Sequence, residues 1–330
     1  MNKSFFLYIQ NRIPLIILLG LALYGVVKSA DLFVDAMSSL ASYLKVPTFI
    51  IALTVVAFGT SSPELAISFT SQIAGNGVLT LSNVIGANIV NVLLVLGIAA
   101  MVHPIKIKGT TTKKEIPMLI LITMTFAVLF CDLQLSDTAY ANIISRSDGI
   151  ILVLLFCLFV YYLKEVISTH RLKDTECSVP KFSKPMTIVY GLIGLAVLLV
   201  NADQVVEISS ILAKAVGISD KVIGMVIIGI GTSLPELVTS IITVKKGDFD
   251  FTIENIVGTN IFNICIVLGL PVLIFGDIIA YGFGLIDMGV LVLSTIILYF
   301  FSKSERSISR MEGIIMIMIF VLYYSYVIFL

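Results

Sequence analysis

The sequence predicts an all-α polytopic membrane protein with ten transmembrane helices arranged as two inverted-topology five-helix repeats. Three observations lead there. Of 330 residues, 58% are hydrophobic and 13% charged, against about 25% charged in soluble domains, and the mean hydropathy is +1.08. Apolar runs of bilayer-spanning length, roughly 17–25 residues, recur along the whole chain. Finally, the chain repeats itself: GTSSPEL (59–65) returns as GTSLPEL (231–237), an offset of 172 residues. Without gaps, that offset pairs Asp31 with Asp203, Ser38 with Ser210 and Glu64 with Glu236. It also sets NVIGANIVNVLLVLG (83–97) against NIVGTNIFNICIVLG (255–269), with eight of fifteen positions identical. A duplication explains this.

The spans are predicted at 13–44, 47–74, 79–102, 115–131 and 147–163, then 185–215, 219–245, 251–275, 280–301 and 311–329. The first repeat therefore occupies 1–163, a connector 164–184, and the second repeat 185–330. An odd number of spans per repeat inserts the second copy upside down, a plan common among secondary transporters with ion sites on interrupted helices near the midplane. Loop charge sets the orientation. Loops after the odd-numbered spans carry fifteen Lys and Arg, and the opposite side carries five: Lys3, Arg12, Arg146, Lys214 and Lys221. Both termini are expected outside a cell membrane and the connector in the cytoplasm. The apolar N-terminus resembles a signal peptide, but its twin at 188–200 makes it a span.

Each motif places Pro and Glu in an apolar stretch. Pro63 and Pro235 lack an amide proton and clash with the preceding turn, so each should break its helix. A break frees upstream carbonyls, expected at Ala57, Thr60, Gly229 and Thr232, and in lipid these persist only where something polar takes them up. Glu64 and Glu236 follow directly, with Ser61 and Ser233 one turn before. On the next helix of each half Asn91 and Asn263 offer amide oxygens; four residues earlier the halves differ, Ala87 against Thr259. The inventory is all oxygen, which suits Ca²⁺ or Na⁺ and does not suit Zn²⁺ or Cu⁺. Two carboxylates brought within about 5 Å repel by roughly 3 kcal/mol at an effective dielectric of 20, so the pair should hold a cation or a proton.

Other polar residues carry plainer readings. Asn88 and Asn260 fit interhelical hydrogen bonding as well as ligation. Asp31 and Asp203 fit packing or interface roles. Ser68, Thr70, Ser71, Ser240 and Thr243 either line a path or bond back to their own helices. Cys131, Cys157, Cys177 and Cys265 show no CxxC spacing and read as small hydrophobes, and His103 and His170 read as solvated.

At GTSSPEL, GTSLPEL, NVIGANIVN and NIVGTNIFN the sequence resembles the calcium/cation antiporter superfamily, in its prokaryotic sodium/calcium exchanger form, over the whole chain. The resemblance implies four clustered cation sites with Glu64 and Glu236 central to calcium. Thr60, Ser61, Thr232, Ser233, Asn91, Asn263 and the carbonyls of Ala57 and Gly229 complete the set, and spans 1 and 6 slide against the other eight. Thr259 lies one turn before Asn263 and joins the candidate ligands. Two positions depart from the family pattern. Where Asn263 stands, relatives often carry Asp; where Ala87 stands, they usually carry a hydroxyl that helps to hold Na⁺, which leaves a 3:1 stoichiometry open.

The function implied is exchange of Na⁺ for Ca²⁺ by alternating access, with Na⁺ entry driving Ca²⁺ extrusion. The alternative is a proton-driven Ca²⁺ antiporter, whose branch looks more like GNxxE. A passive channel fits the repeat less well. Zero net charge gives no electrostatic basis for nucleic acid. The KKGD at 245–248 is a poor match to an intramembrane protease element, so no enzyme activity is expected. The substrates are the two ions, the surroundings are lipid, and neither a cofactor nor an obligate protein partner is implied.

Overall fold

The computed structural model describes residues 13–135, 140–171, 180–215, 229–280, 282–304 and 306–329. The helices are α1 (Ile13–Leu44), α2 (Thr48–Thr60), α3 (Ser62–Ile73), α4 (Gly77–Val102), α5 (Ile116–Phe130), α6 (Arg146–Arg171), α7 (Lys184–Ala215), α8 (Leu234–Lys246), α9 (Phe249–Phe275), α10 (Leu285–Lys303) and α11 (Arg310–Phe329). Lys3, Arg12, Lys173, Cys177, Lys221, the start of the predicted span 219–245 and the side chains of His170 and Arg171 lie outside the described residues.

This is a mostly helical, multi-pass membrane protein. Among the described residues seven helices are long and apolar enough to cross a bilayer, and α2 with α3 makes an eighth. Ten were expected. The shortfall falls on α5, whose 15 residues follow directly on a π-helical turn, Thr111–Glu115, charged at Lys113, Lys114 and Glu115, and on α8, 13 residues long. A helix rises 1.5 Å per residue, so α8 alone does not cover a hydrocarbon core of about 30 Å, and α5 approaches that length only through its charged first turn. The all-α expectation holds, with little else beside the helices among the described residues. Two antiparallel pairs of two-residue strands are present, β1 (Ile105–Lys106) with β4 (Ser307–Ile308) and β2 (Ile143–Ile144) with β3 (Ile278–Ile279).

Burial follows the sequence pattern. α1, α6, α7 and α11 turn large apolar side chains such as Leu21, Leu154, Leu192 and Leu322 outward, as lipid-facing helices do. The two repeat helices α4 and α9 are almost wholly buried and rich in small or polar residues. Their glycines permit close crossings. A Cβ on Gly97 would meet the Gly313 carbonyl of α11 at 3.0 Å, and one on Gly149 of α6 would meet the Gly269 carbonyl of α9 at 2.8 Å. Gly97 and Gly269 are 172 residues apart, so equivalent glycines make the same crossing, each with the last helix of the other half. α1 and α7 share a second apolar core built on Ala30, Phe33, Ala36, Met37, Leu198 and Ala202, which also takes in Ile50 and Val56 of α2, Ile242 of α8 and Phe251 of α9.

Lysines gather at one end of the molecule. Lys246 lies 2.5 Å from Asp31 and 2.8 Å from Asp35, Lys181 lies 2.5 Å from Asp35, and Lys108 lies 2.6 Å from Asp250. Asp31 thus has an ion-pairing role linking α1 to the end of α8. Asp203 is exposed.

A second acidic pair was not anticipated from the sequence. Glu254 on α9 and Glu115 just before α5 are both buried and interact electrostatically. The Thr111 hydroxyl donates to Glu254 Oε1 at 2.6 Å, and the Tyr162 hydroxyl donates to Glu115. Glu254→Gln keeps an acceptor for Thr111 and removes the mutual repulsion, so its melting temperature equals or exceeds the parent's. Glu254→Ala strands the Thr111 hydroxyl and opens a void, with an expected loss of about 1–3 kcal/mol. Thermal melts in detergent check the contrast, and equal losses in both variants would refute it.

Candidate functional site

The α2–α3 boundary is the predicted break. The two helices bend by 42° there. Pro63 cannot donate to the Gly59 carbonyl four residues back, and the Ser62 hydroxyl does so instead, at 2.7 Å. The break therefore frees fewer carbonyls than expected: that of Ala57 accepts from the Ser61 amide at 3.1 Å and the Thr60 hydroxyl at 3.4 Å. The chain leaves regular helix only after Thr60, which keeps the Ala57 carbonyl within the last turn of α2. In the second half a single turn, Gly229–Gly231, precedes Thr232, Ser233 and α8, which carries Pro235 near its start.

The two breaks face one another across the halves. Glu64 interacts with the Thr232 side chain and with the charge of Glu236, while Glu236 has Thr60 beside it. Thr60 spends its proton on the Val56 carbonyl at 3.0 Å, and neither Glu236 oxygen has a hydrogen-bond partner among the described residues. Glu64 and Glu236 are each 1% exposed.

The second helices bring the amides. Asn91 and Asn263 both sit in π-helical segments, Val90–Val95 and Asn263–Leu268. Such widened turns are rare and cluster at functional sites; no sequence signal announced them. Asn91 Nδ2 donates to Asn260 Oδ1 at 3.1 Å, and Asn260 Nδ2 donates to the Asn88 carbonyl at 3.2 Å. Asn88 bonds back to Val84 at 2.8 Å. Asn260 therefore serves as an interhelical tie. The Asn88 side chain bonds back to its own helix and leaves Oδ1 without a partner among the described residues, and Asn91 turns its amide nitrogen to Asn260 with Oδ1 left over.

What remains is a set of buried oxygens with no hydrogen-bond partner among the described residues: Ser61 Oγ, Glu64 Oε2, Asn91 Oδ1, Ser233 Oγ, both oxygens of Glu236, Thr259 Oγ1 and Asn263 Oδ1. Leaving one such group unpaired costs about 1–3 kcal/mol, and native interiors rarely tolerate several together. An array of unsatisfied acceptors around two carboxylates is what a dehydrated hard cation requires. Ala87, buried and without a side-chain oxygen, occupies the place that Thr259 fills in the other half.

The flanking hydroxyls divide. Thr70 bonds back to Ala66 at 2.9 Å and Thr243 to Thr239 at 2.9 Å. Ser68 accepts from Asn83 at 3.2 Å, whereas Ser240 has no partner among the described residues. Cys131, Cys157 and Cys265 are free thiols.

Known proteins place the chain. The sodium/calcium exchanger protein family profile matches residues 14–164 and 186–329. The inner membrane protein YrbG of Escherichia coli is 36% identical, the match covering 78% of this chain and 79% of that one. The sodium/calcium exchanger MaX1 of Methanosarcina acetivorans is 29% identical, covering 93% and 96%. A solved structure of the sodium-calcium exchanger NCX_Mj, soaked with Na⁺ and Ca²⁺, superposes with a TM-score of 0.79 at 29% identity, covering 95% and 98%. With both repeats matched and the fold shared end to end, this chain is a member of the sodium/calcium exchanger family, a family of membrane cation antiporters.

Proposed function

We propose that the protein exchanges Na⁺ for Ca²⁺ across the cell membrane by alternating access, Na⁺ entry driving Ca²⁺ out. One observation carries the reading: two buried carboxylates stand together among neutral oxygens that nothing in the protein satisfies. Glu64 and Glu236 carry the charge that balances Ca²⁺ or two Na⁺. Thr60, Ser61, Thr232, Ser233, Asn91, Asn263 and Thr259 supply hydroxyl and amide oxygens, and Ala57 and Gly229 supply carbonyls. The two ions compete for one carboxylate pair, and competition of that kind is what exchange needs.

The paired crossings of Gly97 and Gly269 support ten spans in two inverted repeats. So do the strand pairs: β1 with β4 joins the loops after spans 3 and 9, and β2 with β3 joins those after spans 4 and 8. Odd loops meet odd and even loops meet even, in keeping with a lysine-rich cytoplasmic face and outer termini. α1 and α7 pack on one another more extensively than any other pair of helices among the described residues, which suits a pair that slides as one body.

The test is ⁴⁵Ca²⁺ uptake into proteoliposomes under an imposed Na⁺ gradient, repeated with a pH gradient alone. Uptake with Na⁺ only is expected; uptake with the pH gradient only moves the protein to the proton-driven class. The Ala87 gap adds a prediction. With one Na⁺ ligand missing, the parent exchanges two Na⁺ per Ca²⁺ and moves no net charge. Ala87→Ser restores an oxygen and makes transport voltage-sensitive, each net charge being worth about 2.3 kcal/mol per 100 mV. Reversal potentials decide it, and a parent that already shows a 3:1 potential refutes the assignment.

A further inference from the structure

The helix pairs α3–α4 and α8–α9 are equivalent under the 172-residue offset, yet their polar seams differ. In the first, Asn83 Nδ2 donates to the Glu64 carbonyl at 2.9 Å and to Ser68 Oγ at 3.2 Å, and Thr80 donates to the Ser68 carbonyl at 3.2 Å. These three bonds hold α3 against α4.

In the second half Ser240 and Asn255 occupy the places of Ser68 and Asn83. Both are 1% exposed, and neither Ser240 Oγ nor either polar atom of Asn255 has a partner among the described residues. Their juxtaposition follows from a second, independent contact. Thr243 Oγ1 and Thr252 Oγ1 are 2.6 Å apart, and these helices are antiparallel neighbours joined by a tight turn at Gly247. One turn inward along both helices lie Ser240 and Asn255; one turn further lie Glu236 and Thr259. Those four side chains hold five unpartnered buried oxygens: two of Glu236 and one each of Ser240, Asn255 and Thr259.

An Asn buried with its whole amide unused is costly, and its equivalent shows that this seam can be closed by hydrogen bonds. We infer that Ser240 and Asn255, with Glu236 and Thr259 one turn away, form a station for a dehydrated hard monovalent cation, Na⁺, on the lysine-rich side of the central site. A single carboxylate among neutral oxygens balances one positive charge, not two. The bonded Thr243–Thr252 rung closes this station off toward a cavity of about 200 Å³ lined by Lys106, Lys108, Asp248 and Asp250 among others. The inference rests on the Na⁺-exchange reading and extends the oxygen array by one rung.

The experiment is equilibrium ²²Na⁺ binding to the purified full-length protein without Ca²⁺. It compares the parent with Ser240→Ala, Asn255→Leu and the equivalent first-half variant Ser68→Ala, with a melting curve for each. Ser240→Ala and Asn255→Leu are expected to raise half-saturating Na⁺ about five- to tenfold, the scale of one lost ligand bond. Ser68→Ala leaves it within about twofold. Ser240→Ala does not lower the melting temperature measured without Na⁺, because its hydroxyl bonds to nothing; a purely structural serine would lower it. Asn255→Leu keeps the test decisive should Ser240→Ala fold poorly. Unchanged Na⁺ binding in both second-half variants overturns the station and leaves water as its occupant. An equal shift in Ser68→Ala overturns the asymmetry on which it stands. A parent that binds no ²²Na⁺ refutes the exchange reading itself, and the station with it.

Discussion

Glu64→Gln and Glu236→Gln each abolish Ca²⁺ transport while the protein still folds. Either substitution leaves one carboxylate to balance a dehydrated divalent ion, and removing one partner of a buried charge pair costs about 3–5 kcal/mol. That is a loss of roughly 100- to 1,000-fold or more in affinity, which takes binding out of a useful range. Folding survives for a separate reason. Neither Glu236 oxygen has a hydrogen-bond partner among the described residues, so no bond seen there is lost, and the repulsion between the two carboxylates disappears. Gln also matches Glu in volume, so the breaks at Pro63 and Pro235 are undisturbed. Purified variants should therefore elute as the parent does and melt no earlier in the absence of ions, while ⁴⁵Ca²⁺ uptake falls to background. Near-normal exchange in both variants would sink the proposed site.

Much of the site was legible because its signals are local and covalent. Proline lacks a proton whatever surrounds it, so the bend at Pro63 follows from the residue itself. The repeat offset brought Glu64 and Glu236 into equivalence from sequence alone. The limits of α1, Ile13–Leu44, coincide with the apolar run that marks them. What stayed hidden depends on partners far away in the chain. That Ser62 rescues the Gly59 carbonyl is a matter of rotamer, not composition. The widened turns at Asn91 and Asn263 look like ordinary helix in sequence. Asn260 reads ambiguously because its bonds join residues of opposite halves, and only the fold brings those together. Glu254 sits five residues before Thr259 in FTIENIVGTN and gave no sign of facing Glu115. The seams of the two halves read as near copies, yet Ser68 and Asn83 are bonded to one another and Ser240 and Asn255 have no partner among the described residues.

Gly258→Ala should disable the protein through packing alone. A Cβ at Gly258 would meet the Leu53 carbonyl oxygen, with its carbonyl carbon at 2.9 Å and the Ala57 Cβ at 3.0 Å. Two of those atoms are backbone and cannot rotate away, so α9 and α2 must separate. Inside a helix the same change is otherwise favourable, since Ala is preferred to Gly by about 1 kcal/mol. Forced overpacking costs about 1–3 kcal/mol, and here the displacement falls on functional geometry. Leu53 and Ala57 lie on the helix that ends at Thr60, and Thr259 and Asn263 follow Gly258 on α9. Moving those helices apart by a few tenths of an ångström loosens the cation site from both sides at once. Gly289 is the control. It is exposed on α10 with no neighbouring heavy atom within 4 Å among the described residues, so Gly289→Ala gains helix propensity and costs nothing in packing. The expected result is a lower melting temperature and at least a tenfold loss of ⁴⁵Ca²⁺ transport in Gly258→Ala, with parental or higher values in Gly289→Ala. Parental transport in Gly258→Ala would mean that α2 and α9 are free to part there, and that the site's oxygens are not held by this crossing.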